Sequence, residues 1–276
     1  MRHLIINLES PLMAFGGETI DNLGIIRRFP AASMLTGIFA NALGWRRIER
    51  QKHQDLQDRL VFATRIEREP AGGVSMTDYQ TVQMADTIDI YDRGWVVGWT
   101  TRGIPERRAG ALGSRGSGPF THQRWRDFFT DMRVCIVLRL RDTDDAHAPM
   151  LNDLAHALKY PKRPLFIGRK PCLPSVPLYG GLSEGDTCLA ALLNAPLEYP
   201  DHAPPRVVIQ WPDGEDKGVD LEVEDIRISR SQMLTDERNW VSGLHGGGRL
   251  AHEGSVDKSC FGRQRAAQDF EKGGEA

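Results

Sequence analysis

Apolar and polar positions along this chain fall into a few bounded patterns, and each predicts an element. Residues 3–8, HLIINL, form a short apolar run with β-branched members, closed by Ser10-Pro11 and Gly16-Gly17, which predicts a strand followed by a glycine-containing loop. In FPAASMLTGIFANALGW the residues Met34, Leu35, Ile38, Phe39, Ala42 and Leu43 recur at helical spacing. Pro30 precedes them and Gly44 follows, so the spacing predicts a helix over 31–43. After a polar stretch, LVFATRIERE at 60–69 alternates as a second strand. The chain opens β-α-β.

Periodicity fades from 70 to 125, a longer stretch than an ordinary connection, so this is an excursion with a purpose of its own. Within it, TIDIYDRGWVVGWTT at 87–101 predicts a hairpin turning at Arg93-Gly94. THQRWRDFFTDM at 121–132 reads as a short helix, RVCIVLRLR at 133–141 as a strand, and Leu151–Tyr160 as an amphipathic helix ended by Pro161. CLAALLNAP at 188–196 fits a short helix or a strand, and RVVIQW and DLEVEDIRIS close the regular part as strands. The order predicts an α+β fold with a β-α-β-β-α-β ferredoxin-like core carrying a large insertion. Its parts are a first half at 1–75, an insertion at 76–125, a second half at 126–235 and a partly flexible C-terminal tail at 236–276.

With 40% hydrophobic and 26% charged residues among 276, the composition is that of a folded globular protein. No apolar run approaches the ~18 residues of a membrane span and no secretory signal opens the chain, so a cytoplasmic location without a membrane partner is expected. The four cysteines make no CxxC pair and the eight histidines no HExxH, so no metal or other cofactor is expected. Cys135, inside VCIVL, reads as a buried thiol.

Net charge is −2, but it is unevenly spread. Ten arginines between Arg93 and Arg141 face three acids, five basic residues between Lys159 and Lys170 face none, and eleven acids between Glu184 and Asp225 face two bases. Such a chain presents a basic face suited to phosphates and an acidic face elsewhere. GSRGSG at 113–118 lacks both the Walker ending and the GxGxxG spacing, which argues against a nucleotide-binding enzyme. A Gly-Ser-Arg segment either follows a nucleic-acid backbone or is a plain loop. Tyr79, His122 and Lys162 are the only candidates for metal-free general acid-base work on RNA, and their spacing forms no motif.

Four blocks carry a family resemblance: the opening SPLMAFGG with RRFPAASMLTGIFANALGW, then TDYQTVQ at 77–83, FIGRKPCLPSVPL at 166–178 and ERNWVSGLHGG at 237–247. In this order they are similar to the CasD family, the repeat-handle-binding subunit of the type I-E CRISPR surveillance complex called Cascade. The resemblance implies a modified ferredoxin-like, RNA-recognition-like (RAMP) core with an inserted β-hairpin thumb at 76–125. It also implies a structural role in antiviral defence: holding the 5′ repeat-derived handle of crRNA, contacting the Cascade backbone and large subunits, and meeting target DNA only through the complex. Relatives in type I-C systems process precursor crRNA, so a metal-independent endoribonuclease is the alternative.

Under this reading the RNA-binding candidates follow from RNA chemistry, with phosphates gripped by cations and splayed bases stacked. Arg27 and Arg28 precede the first helix, and Ser33 lies in its first turn, where free N–H groups favour an anion. Met13 and Phe15, beside Gly16, either stack on bases or anchor the core. Tyr79, Arg107, Arg108 and Arg115 fall on the insertion, and Arg169 and Lys170 on a basic loop expected to complete the groove.

Overall fold

The computed structural model describes residues 1–17, 22–70, 76–83 and 121–262. In chain order the elements are β1 (Arg2–Met13), β2 (Leu23–Gly24), α1 (Ala32–Leu43), α2 (Arg50–Arg59), β3 (Leu60–Arg68) and β4 (Met76–Gln83). They continue as β5 (Thr121–Leu140), α3 (Leu151–Lys159), β6 (Tyr179–Glu184), α4 (Cys188–Asn194), β7 (Arg206–Pro212), β8 (Arg227–Leu234) and β9 (Arg249–Asp257). One mixed-order sheet runs β6-β1-β5-β3-β7-β9-β8, with antiparallel neighbours throughout. The fold is a mixture of helices with a large antiparallel sheet.

The central strands are buried on both faces. Leu4, Ile6 and Leu8 of β1, with Val134, Ile136 and Leu138 of β5, meet α1 and α3 through Leu35, Phe39, Leu154 and Leu158. On the opposite face Ile5, Cys135 and Val137 meet α4 through Cys188, Leu189 and Leu192. Two covered faces explain why VCIVL is an unbroken apolar run, and burial pushes the Cys135 thiol up to about 11. Among charged groups this second face holds Arg65, Glu67 and Arg133, all at most 5% exposed. Glu67 joins the two guanidiniums, Arg133 also pairs with Glu9, and Arg65 donates to the carbonyls of Leu192 in the last turn of α4 and of Pro196 just after it.

Several expectations are corrected. Residues 121–132 are strand, the first part of a 20-residue β5 whose outer half pairs with β4, Tyr79 opposite Trp125. Phe128 and Met132 satisfy a helical period, but from Met132 on every second residue, Met132, Val134, Ile136 and Leu138, enters one cluster, which is the period of a strand. Between Thr130 and Met132, which pair with Leu12 and Ser10 of β1, Asp131 takes a left-handed φ of 50° and Arg68 donates to both its carbonyl and its carboxylate.

Residues 188–196 form helix α4, capped by Thr187 Oγ1, which accepts from Ala190 N at 3.3 Å. The strand expected at 220–229 begins only at Arg227, because Asp220 Oδ1 accepts from the Glu222 and Val223 amides and turns the chain. The presumed C-terminal tail holds β9, which fills the place between β7 and β8. No helix of the described residues is long and apolar enough to cross a membrane. The hairpin expected at 87–101 lies outside the described residues.

Candidate nucleic-acid interface

The loop after β1 is pinned by its own hydrophobic residues. Met13 and Phe15 are fully buried, Phe15 against Phe129 at 6.2 Å between ring centroids, so both anchor the core and neither offers a face to a base. The same anchoring carries Gly16 and Gly17 to the surface and sets the buried Ala14 against the loop at 165–170. Gly168 makes that approach possible. Its φ is +87°, and a Cβ there would lie 1.8 Å from the Ala14 carbonyl oxygen, so only glycine fits.

Arg169 then fastens this pair of loops to the β4–β5 arm. Its guanidinium donates to Asp127 O at 2.8 Å and Gly24 O at 3.0 Å and lies over the Phe128 ring. Burial, with Arg126 nearby, pulls its pKa below the usual arginine range. Arg169 is thus a positioning residue, while Lys170 next to it is exposed.

The helix start and the two arginines before it are also engaged internally. Asp236 supplies the anion that the positive end of α1 attracts: its Oδ2 accepts from Ala32 N at 3.3 Å and its carbonyl from Ser33 N at 3.1 Å. Arg249 balances that carboxylate at 2.8 Å. The place expected for a phosphate at Ser33 is therefore filled by the chain itself. Arg28 forms a two-pronged ion pair with Glu69 at 2.8 and 2.5 Å, and Arg27 donates to the Thr235 carbonyl at 2.9 Å. Both arginines line a cavity of about 350 Å³ that also contains Asp236 and Glu253.

A larger cleft, of about 580 Å³, lies over the outward face of α1. Ser33, Gly37 and Asn41, four residues apart, form part of its floor. Gly16, Gly17 and Gly168 border it, and the 238–245 loop supplies Arg238, Trp240 and His245. Arg47, Arg163 and Arg169 complete a set of four arginines, and among the described residues that line the cleft there is no Asp or Glu. Such a concentration of one sign of charge attracts a polyanion.

Aromatic rings stand among these cations in fixed orientations. Trp240 donates its indole N–H to Gln57 Oε1 at 2.8 Å and its backbone N–H to Gln54 Oε1 at 2.9 Å, both from α2. His53 lies between Trp45 and Trp240, at 5.6 and 5.0 Å between centroids. Arg163 donates to the Gly44 and Trp45 carbonyls at 2.9 and 2.7 Å, closing the C-terminus of α1. Arg47 is exposed at the rim.

Three of the four sequence blocks thus meet in one cleft, while TDYQTVQ lies on the arm. There Tyr79 is half exposed and contacts Trp125 at 5.1 Å between centroids. Lys162 lies elsewhere, its side chain against Gly44. His122 belongs to β5 opposite Val82, and its side chain is outside the described residues, as are Arg107, Arg108 and Arg115. Sequence reasoning missed Arg47, His53, Arg163, Arg238, Trp240 and His245. Two signals pointed to some of them: Arg163 lies in the acid-free run 159–170, and Arg238, Trp240 and His245 lie in ERNWVSGLHGG.

One further constellation has the composition of a hydrolytic triad. Ser231 Oγ and His252 Nδ1 are 2.7 Å apart, and His252 Nε2 is 3.1 Å from Asp213 Oδ1. Ser231 and Asp213 are both exposed, so the group ties β8 to β9 and the end of β7 in contact with solvent.

The chain is thus an α+β protein whose antiparallel sheet bears a cationic, aromatic-walled cleft, and the comparisons with known proteins give its family. Residues 3–249 match the family described as CRISPR-associated protein (Cas_Cas5), and the chain belongs to that family. It is 26% identical over 193 residues to the CRISPR system Cascade subunit CasD of Escherichia coli (strain K12), covering 70% of this chain and 76% of that one. Among solved structures, a chain of a CRISPR RNA-guided surveillance complex superposes with a TM-score of 0.58 at 19% identity, over 94% of this chain and 92% of the other. A crystal structure of a Cas protein gives a TM-score of 0.52 at 19% identity, over 94% and 97%. These two likenesses establish a shared fold.

Proposed function

We propose that this chain is the guide-RNA-binding structural subunit of a type I CRISPR surveillance complex, holding the single-stranded 5′ repeat-derived handle of crRNA in the cleft over α1. The observation that carries the reading is that cleft, where three separated sequence blocks meet: four arginines, oriented rings and, among the described residues, no carboxylate. Phosphates need cations and splayed bases need rings, and a single strand presents both at once. The sheet order β6-β1-β5-β3, with α1 between β1 and β3 and α3 between β5 and β6, supports a ferredoxin-like RAMP core. The β4–β5 arm takes the part of the thumb, directed at the neighbouring backbone and large subunits. Work in the cytoplasm follows from this role.

The role is binding without cleavage. The test is to mix purified protein with labelled single-stranded RNA copied from the repeat, in chelator. Retention of intact RNA, outcompeted by unlabelled repeat RNA far better than by duplex DNA, is expected. Failure to bind would refute the reading, and a discrete cut would replace it with the endoribonuclease.

A further inference from the structure

Glycine in the middle of a helix costs about 1 kcal/mol relative to alanine, so a glycine retained there has a reason. At many positions of this chain the reason is visible: a positive φ, or a neighbour in the way of a Cβ. Gly37, in the interior of α1, has neither. Its φ is ordinary, and a Cβ built on it meets nothing within 4 Å. Gly16, in the loop after β1, is the same. Both line the arginine-rich cleft, so the added methyl groups would project from its walls. Neither backbone conformation nor a described neighbour asks for glycine at these two places, and both lie on the wall of the cleft.

Resting on the RNA-binding reading above, we propose that Gly37 and Gly16 form the seat on which the sugar–phosphate backbone of the single-stranded RNA lies, in direct contact with the protein main chain. Two features favour RNA over the alternative occupant of a small-residue helix face, a helix of another protein. The cleft holds Arg47, Arg163 and Arg238 and, among the described residues, no acidic one. Its rings are held by Gln54, Gln57 and His53 in fixed orientations, as stacking requires and as helix packing does not. Ser33 and Asn41 continue the same face to either side of Gly37, spanning about 12 Å along the helix. Asn41 donates its amide to Pro164 O at 2.6 Å, which ties this face to the loop that precedes Phe166.

The proposal predicts opposite signs for stability and binding. Gly37→Ala relieves the helix of its glycine, so its melting temperature equals or exceeds that of the wild type, while affinity for labelled repeat RNA falls several-fold. Gly37→Leu, which fills the floor, and Gly16→Ala also weaken binding, Gly37→Leu by tenfold or more. If Gly37→Leu fails to fold, the alanine variants decide. Wild-type protein that binds RNA while Gly37→Ala and Gly16→Ala bind it equally well overturns the seat and leaves the RNA-binding reading standing. Variants that bind RNA normally but no longer join the other subunits assign the face to a protein helix and overturn it too. Wild-type protein that binds no RNA refutes the underlying reading.

Discussion

Glu67 balances two buried guanidiniums. It accepts from Arg65 and Arg133, which are 1% and 3% exposed, and nothing apolar around them replaces its charge. Removing one partner of a buried ion pair leaves the other uncompensated, at a cost of about 3–5 kcal/mol. Glu67→Ala should therefore lower unfolding stability by that amount in denaturant titration, and a loss below ~1 kcal/mol would show that water or Glu9 takes over. His3 makes a pH-dependent contribution. Burial lowers its pKa below 6.5, so the unfolded chain binds the extra proton more readily than the folded one. The contribution of neutral His3 is complete above pH ~6.5 and is lost as pH falls from there through the folded pKa. Between pH 7 and 5 the wild type should lose more stability than His3→Leu. Equal losses would place the pH dependence elsewhere.

At the scale of elements, the junction of the β1 loop with the 165–170 loop shapes the cleft, and Gly168 is its closest contact. Gly168→Ala places a Cβ on the Ala14 carbonyl and a side chain at φ +87°, so the loops must separate. The expected result is a loss of at least ~1–3 kcal/mol, the cost of a strained backbone alone, together with weakened RNA binding. Unchanged stability and affinity would mean that the loops are not held by this contact. The basic loop at 165–170 was legible in the sequence, and its partner loop was too, because Gly16-Gly17 and the acid-free run 159–170 are local signals.

What was not legible depends on distant pairing. Nothing near Arg28 reveals Glu69, 41 residues away, and nothing near Ser33 reveals Asp236, so residues free in the sequence are occupied in the fold. The strands β1, β3, β7 and the inner half of β5 announced themselves by apolar content. β9 did not, because RLAHEGSVD mixes Glu253 and His252 into a strand whose polar groups are satisfied by Gln210 and Ser231 across the sheet. Helix α2 hid for a similar reason, since its inward residues include the polar His53 and Gln57 that orient Trp240.

Across the whole molecule, charge is sorted by face. The acidic stretch 184–225 surrounds α4 and β7, while the cleft over α1, against the other face of the central strands, has only arginines as charged groups among its described lining residues. This separation lets a chain of net charge −2 bind a polyanion at one place. Each cation that neutralises a phosphate of a single strand releases counterions and contributes roughly 0.7 to the slope of log affinity against log salt. Arg47 suits this test because it is exposed at the rim, whereas Arg163 and Arg169 also hold backbone carbonyls. The decisive measurement is therefore the salt dependence of binding to single-stranded repeat RNA, for the wild type and Arg47→Ala. The account predicts a steep decline for the wild type and a slope shallower by roughly 0.7 for the variant, with unchanged melting temperature. Salt-independent or absent binding by the wild type, or identical slopes for the two proteins, would contradict it.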